Sequence, residues 1–188
     1  SKTTSAETWT TRDSDTTKDL HGVTYGNDVF VAVGNDGKIF SSPDGTTWTP
    51  QESEVETRLM GVTFGNGTFV AAGFSGTVLT STDGITWIER DTGNTGNLFG
   101  VTYASETFLA FGHSLNQQVG IILTSPDGTT WTPQTSGTDK RLTGITYGNG
   151  TFVAVGWFGT ALTSQDGITW GVANTETEVN LNNVTFEN

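Results

Sequence analysis

Four near-copies of one unit fill most of this chain, and that repetition constrains the fold more than any other feature. The units are Leu20–Arg58, Leu59–Asn97, Leu98–Arg141 and Leu142–Asn180, with lengths of 39, 39, 44 and 39 residues. The extra residues of the third lie around 114–118. Partial units, 1–19 and 181–188, flank the four. Trp9 stands where Trp48 stands one unit later, and Val184-Thr185-Phe186 repeats Val23-Thr24-Tyr25.

Each unit reads as four strands. The first is Gly-Val-Thr-aromatic, as in 22–25, and a Gly-Asn-Gly turn such as Gly65-Asn66-Gly67 leads into the second. Asn-Gly supplies the positive φ that a tight hairpin needs. The second strand, Phe69-Val70-Ala71-Ala72 or Phe152-Val153-Ala154-Val155, is apolar on both faces and must be covered on both. The third runs through Val78-Leu79-Thr80-Ser81, and the fourth carries Thr86-Trp87. No stretch keeps a 3.6-residue apolar period, and 25 glycines with only 33% hydrophobic residues suit short strands and turns. Units of this size, buried on both sides, need neighbours on both sides, and radial stacking supplies them. The expectation is therefore an all-β chain, a single β-propeller domain over residues 1–188. Five blades are expected, the last a three-stranded closing blade assembled from both termini.

Between strands three and four stands Ser42-Pro43-Asp44-Gly45-Thr46-Thr47-Trp48, repeated at 81–87, 125–131 and 164–170. This hairpin resembles the Asp-box of sialidase-like (bacterial neuraminidase repeat) propellers, one residue shorter than their usual spelling. A short Asp side chain can accept N–H groups of its own turn. Gly takes the conformation a Cβ penalises, and Trp can wedge between blades. Asp44, Asp83, Asp127 and Asp166 therefore read as turn residues, since a catalytic carboxylate has no reason to recur once per unit. The resemblance would imply sialidase chemistry only with an Arg cluster and a Tyr–Glu pair. Arg12, Arg58, Arg90 and Arg141 all fall on or after outer strands, and Tyr25, Tyr103 and Tyr147 are equivalent packing residues. Sialidase activity is rejected, and the rim is expected to lack a cationic cluster.

Charge and composition exclude further classes. Eight Lys+Arg against 20 Asp+Glu give a net charge of −12, unsuited to nucleic acid or anionic lipid. There is no cysteine, hence no disulfide or thiolate metal site, and no apolar run long enough for a membrane-spanning helix. His21 and His113 occupy non-equivalent positions; His21 aligns with Met60, Phe99, Thr143 and Asn182, a variable strand-one position. No cofactor or metal is expected. Asn66-Gly-Thr, Asn149-Gly-Thr and Asn183-Val-Thr match the glycosylation acceptor pattern, the first two being better explained as hairpin turns.

The units serve as each other's comparison set. Turns between strands one and two, and between three and four, share one face and mostly repeat. Ala104-Ser105-Glu106 is the exception. Loops between strands two and three, and between units, share the other face and diverge. The candidate ligand-binding residues are the tips there: Asn35 and Asp36, Phe74 and Ser75, His113, Asn116 and Gln117, and Trp157 and Phe158. Aromatics on a polar tip gain little unless something covers them. The chain is expected to be a non-enzymatic binding module, monomeric and extracellular or cell-surface, taking a glycan or another extracellular ligand on its variable face. A protein-interaction platform is the alternative, and a glycosidase-related enzyme comes third.

Overall fold

The computed structural model describes residues 10–14 and 16–187. Among the described residues sixteen strands form four antiparallel sheets, one per unit and each in sequence order. The first holds β1 (Leu20–Gly26), β2 (Val29–Gly34), β3 (Ile39–Ser42) and β4 (Thr49–Gln51). The second holds β5 (Leu59–Gly65), β6 (Thr68–Gly73), β7 (Val78–Ser81) and β8 (Ile88–Arg90). The third is β9 (Asn97–Ala104), β10 (Thr107–Ser114), β11 (Val119–Ser125) and β12 (Thr132–Thr135), and the fourth β13 (Leu142–Gly148), β14 (Thr151–Gly156), β15 (Ala161–Ser164) and β16 (Gly171–Ala173). Helix is confined to single 3-10 turns at 35–37 and 74–76 among the described residues. Among the described residues no helix is long and apolar enough to cross a membrane.

The sheets stack as blades through their apolar second and third strands. Val31, Val33 and Ile39 of the first blade meet Val62, Phe69, Leu79 and Trp87 of the second in one buried cluster. Equivalent clusters join the second blade to the third and the third to the fourth. The hairpin tryptophan of each later blade fills the seam with the blade before it, as its amphipathic ring allows. Trp131 and Trp170 also donate their indole N–H to Gly128 and Gly167 carbonyls, at 2.9 and 3.0 Å.

First strands of successive blades approach closely. A Cβ on Gly26 would lie 2.1 Å from the Phe64 ring, and one on Gly65 equally close to Tyr103. A glycine here is a packing requirement. Residues 181–187 have no strand assignment, yet Phe186 sits against Gly148 as Phe64 sits against Gly26, and the Leu181 N–H reaches the Gly156 carbonyl at 3.0 Å. The C-terminal segment thus occupies the place of a next first strand. At the other end Val23 is 63% exposed, whereas its equivalents Val62, Val101 and Ile145 are 8%, 9% and 7% exposed. Trp9, assigned from sequence to the closing blade, lies outside the described residues.

Each blade carries one β-bulge, at the residue after the leucine that opens its unit. Pairing skips His21, Met60, Phe99 and Thr143 in turn. Bulges re-aim a side chain, and the one at Phe99 places that ring at the variable face.

The four Asp hairpins close the opposite face with one bond pattern. Asp127 Oδ1 accepts the N–H groups of Thr129 and Thr130 at 2.8 and 3.0 Å and the Ser125 hydroxyl at 3.1 Å. Ser125 Oγ in turn accepts the Gly128 N–H at 2.8 Å. Asp166 repeats this with Ile168, Thr169 and Ser164. The N–H groups of Thr130 and Thr169, first among several donors, hold the carboxyls of Asp127 and Asp166 down at about 2. Asp44 and Asp83 are lowered too, Asp44 foremost by the Thr46 hydroxyl and Asp83 by the Thr86 N–H. A carboxylate depressed by folding stabilises above its ordinary pKa and loses that contribution as pH falls through its folded value. Stability measured by urea unfolding is therefore expected to fall from about pH 4 down to about pH 2. Asp127→Asn should flatten that fall; an unchanged pH profile would contradict this account.

Candidate functional site

Tips of the second, fourth and first blades share one three-residue frame. Asn35-Asp36-Gly37, Phe74-Ser75-Gly76 and Trp157-Phe158-Gly159 each place the middle residue at positive φ (56°, 58° and 55°). The first tip residue donates its N–H to the carbonyl just before its own first strand: Asn35 to Asp19, Phe74 to Arg58 and Trp157 to Arg141, at 2.9–3.0 Å. The frame therefore holds each tip side chain over the residue that opens its own blade. Two asparagines, each the last residue of the tip's own unit, complete it. Asn97 Oδ1 accepts the Ser75 N–H at 3.2 Å, and Asn180 Oδ1 accepts the Phe158 N–H at 3.1 Å.

On this frame aromatics and cations alternate in a row across three blades. The Arg58 guanidinium lies 5.4 Å from the Phe74 ring centre, and Phe74 meets Phe99 edge-on at 5.8 Å. Arg141 sits between two rings, 4.1 Å from Phe99 and 4.2 Å from Trp157. Trp157 and Phe158 are nearly perpendicular at 78°, and Lys140 Nζ stands 5.5 Å from the Phe158 ring centre. Burial without a counter-charge lowers the pKa of Arg141, but a guanidinium stays protonated. Such contacts are worth about 0.5–2 kcal/mol each, more where water is excluded.

The row ends in a cavity of about 320 Å³, lined by His113, Leu115, Gln118, Asp139, Lys140, Arg141, Trp157 and Phe158. His113 Nε2 is 3.0 Å from the Asp139 carbonyl, and Lys140 Nζ reaches Asp139 Oδ2 at 2.9 Å. Phe158 is 61% exposed at the mouth.

Of the residues read from sequence, His113, Trp157 and Phe158 meet here, and Phe74 joins through Phe99. Asn35, Asp36, Ser75, Asn116 and Gln117 do not. Asn35 Oδ1 bonds His21 Nε2 at 2.8 Å, and Asp36 pairs with Lys18 at 2.6 Å, on the first blade. Ser75 lines a separate depression with Glu89, Arg90 and Asp91. Asn116 and Gln117 form the exposed turn of the longer β10–β11 hairpin, which points Leu115 and Gln118 into the cavity instead. The expected absence of a cationic cluster is corrected. Arg58 and Arg141 end their units in sequence, but the bonds from the tip N–H groups to their carbonyls hold both at the rim, Arg58 at Phe74 and Arg141 with Lys140 at the cavity. The available signal was their identical place in the repeat. No group of three or more His, Asp or Glu able to hold a metal ion occurs among the described residues.

Stacked four-stranded antiparallel sheets with adjoining first strands define a β-propeller. The chain belongs to the DUF6242 β-propeller domain family, whose model matches residues 1–98. It is similar in structure to a YCF48 bound to a D1 peptide (20% identity, TM-score 0.69), covering 91% of this chain and 58% of that one. YCF48 from Cyanidioschyzon merolae is similar at 16% identity and TM-score 0.64, covering 90% and 63%. A chain of a nidogen/laminin complex follows at 15% identity and TM-score 0.66, covering 90% and 69%. The chain thus spans about three-fifths of the length of these YCF48 structures, and at such identities the likeness is one of fold. No curated protein sequence matches significantly.

Proposed function

We propose that this propeller is a non-enzymatic binding module that takes a polypeptide segment on its variable face. One observation carries the reading: the cation–aromatic row that runs into the Trp157–Phe158 cavity. Aromatic and arginine side chains clustered on a rigid frame are what protein contacts favour. A propeller solved with a peptide and another solved in a protein complex add support. The cavity's one carboxylate, Asp139, is paired with Lys140, which leaves no second acid for paired acid–base chemistry.

A glycan is the second reading, favoured by the exposed ring of Phe158. Against it, Arg141 covers one face of Trp157, the surface a sugar ring would stack on. Parallel peptide and glycan arrays decide between the two. Peptide signals that weaken about tenfold or more in Trp157→Ala support the proposal. Signals from glycans alone would replace it with the lectin reading. Turnover of a glycoside, abolished by Asp139→Asn, would replace both.

The Asp-box kinship and a five-bladed ring belong to the same reading. Supporting it, each hairpin Asp accepts N–H groups of its own turn, residues 181–187 lie beside β13, and β1 offers Val23 where a closing contact would fall. Cross-linking cysteines placed at Val23 and Thr185 should yield an intramolecular product if the ring closes; cross-linking only between chains would sink closure.

A further inference from the structure

Arg141 is held as few surface arginines are. Its guanidinium carbon lies over two rings, 4.1 Å from the centre of Phe99 and 4.2 Å from that of Trp157, while Arg141 also lines the cavity. No hydrogen bond or ion pair from that side chain to another group occurs among the described residues. This is unexpected in a chain with 20 acidic and 8 basic residues, where a partner was easily supplied. Asp139, which lines the same cavity, is taken by Lys140 at 2.9 Å. The two rings offset part of the cost of removing this cation from water, but no anion offsets the rest.

The arrangement instead fits a ligand. A guanidinium presents a planar fork matched to the two oxygens of a carboxylate. Two flanking rings fix its rotamer before any ligand arrives, which removes ordering cost at the moment of binding. The cavity of about 320 Å³ is at the small end of the range for ligand sites, the size of a side chain or a chain end. Phe158, 61% exposed beside it, offers apolar surface to whatever adjoins that charge.

We propose that Arg141 is the carboxylate-recognition residue of the variable face, receiving an acidic side chain or terminal carboxylate of a bound polypeptide whose neighbouring apolar group lies on Phe158. This rests on the polypeptide-binding reading above and specifies the ligand's chemistry.

Four probes test it by NMR, read at the Arg141 Nε–H and the Trp157 indole N–H. They are N-acetylphenylalanine, its amide, N-acetyl-Glu-Phe-amide and glucuronate. The proposal expects at least one of the two peptide-type carboxylates to bind about tenfold or more tightly than the neutral amide; which of the two wins identifies the source of the carboxylate. Arg141→Met should bring acid and amide within about twofold of each other, and Arg141→Lys should restore only part of the difference, because an ammonium lacks the fork. Near-UV circular dichroism checks that both variants keep the seam packing. Phe158→Ala, which leaves the arginine in place, should weaken acid and amide alike. Equal binding of acid and amide by the unaltered protein, or a preference that survives Arg141→Met, overturns the proposal. If peptides still register on the array in that case, only the carboxylate assignment has failed. Binding of glucuronate with neither peptide probe overturns both this proposal and the polypeptide reading.

Discussion

Replacing Phe108 by alanine is expected to cost about 3–5 kcal/mol in urea unfolding, the usual penalty for emptying a fully buried aromatic site. Phe108 has no exposed surface and packs with Val70, Leu98, Leu123 and Trp131 across the seam between the second and third blades. Its ring centre is 4.6 Å from that of Tyr103. A loss of this size is a large share of the roughly 5–15 kcal/mol that holds an ordinary domain folded. Phe30 is an internal control. It takes the same place in the first blade and pairs with Tyr25 at the same 4.6 Å, but it is only half-buried. Phe30→Ala should therefore cost clearly less. Equal losses at both positions would show that the seams do not carry the stability of the stack.

Gly159→Ala is expected to damage the binding face far more than one added methyl normally would. The residue has φ of +66°, a conformation costing an L-residue about 1–2 kcal/mol. A Cβ there would also lie 1.8 Å from the Thr177 carbonyl oxygen and 2.7 Å from its carbon. Because that carbonyl belongs to backbone, the tip itself must move. The loss should exceed about 2 kcal/mol, and ligand contact at Trp157 and Phe158 should go with it. Gly150→Ala separates the two causes. It has φ of +73° and nothing within 4 Å of the added carbon, so it should show the conformational cost alone and bind normally. Matching losses for the two variants would mean that the Thr177 contact is immaterial.

The blades were legible because each unit could be read against three others. An apolar second strand in every copy demanded cover on both sides, and Trp87, Trp131 and Trp170 recur where the seams need a wedge. The loop assignment followed from strand direction alone, and Trp157 does lie opposite the Asp hairpins. The site was half legible. Trp157, Phe158 and His113 stand out as ring-bearing residues on loop tips. Phe99 and Arg141 do not, because their meeting depends on a bulge that lifts Phe99 out of register and on the spacing of two blades. Neither is written in local sequence. Asn116 and Gln117 fall outside this cavity for a similar reason: the length of the insertion is visible, but which of its side chains line the cavity is set by the hairpin's own register.

The residue before the leucine that opens each unit runs Asp19, Arg58, Asn97, Arg141, Asn180. Arginines stack on the tip of their own blade, and Asn97 and Asn180 brace the tip of the blade behind. The chemistry of this face therefore has a period of two blades, while the scaffold has a period of one. Adding or deleting a single blade would leave the stack intact but throw the alternation out of phase, setting an arginine where a brace is needed. Growth or shrinkage that preserves recognition must come in pairs.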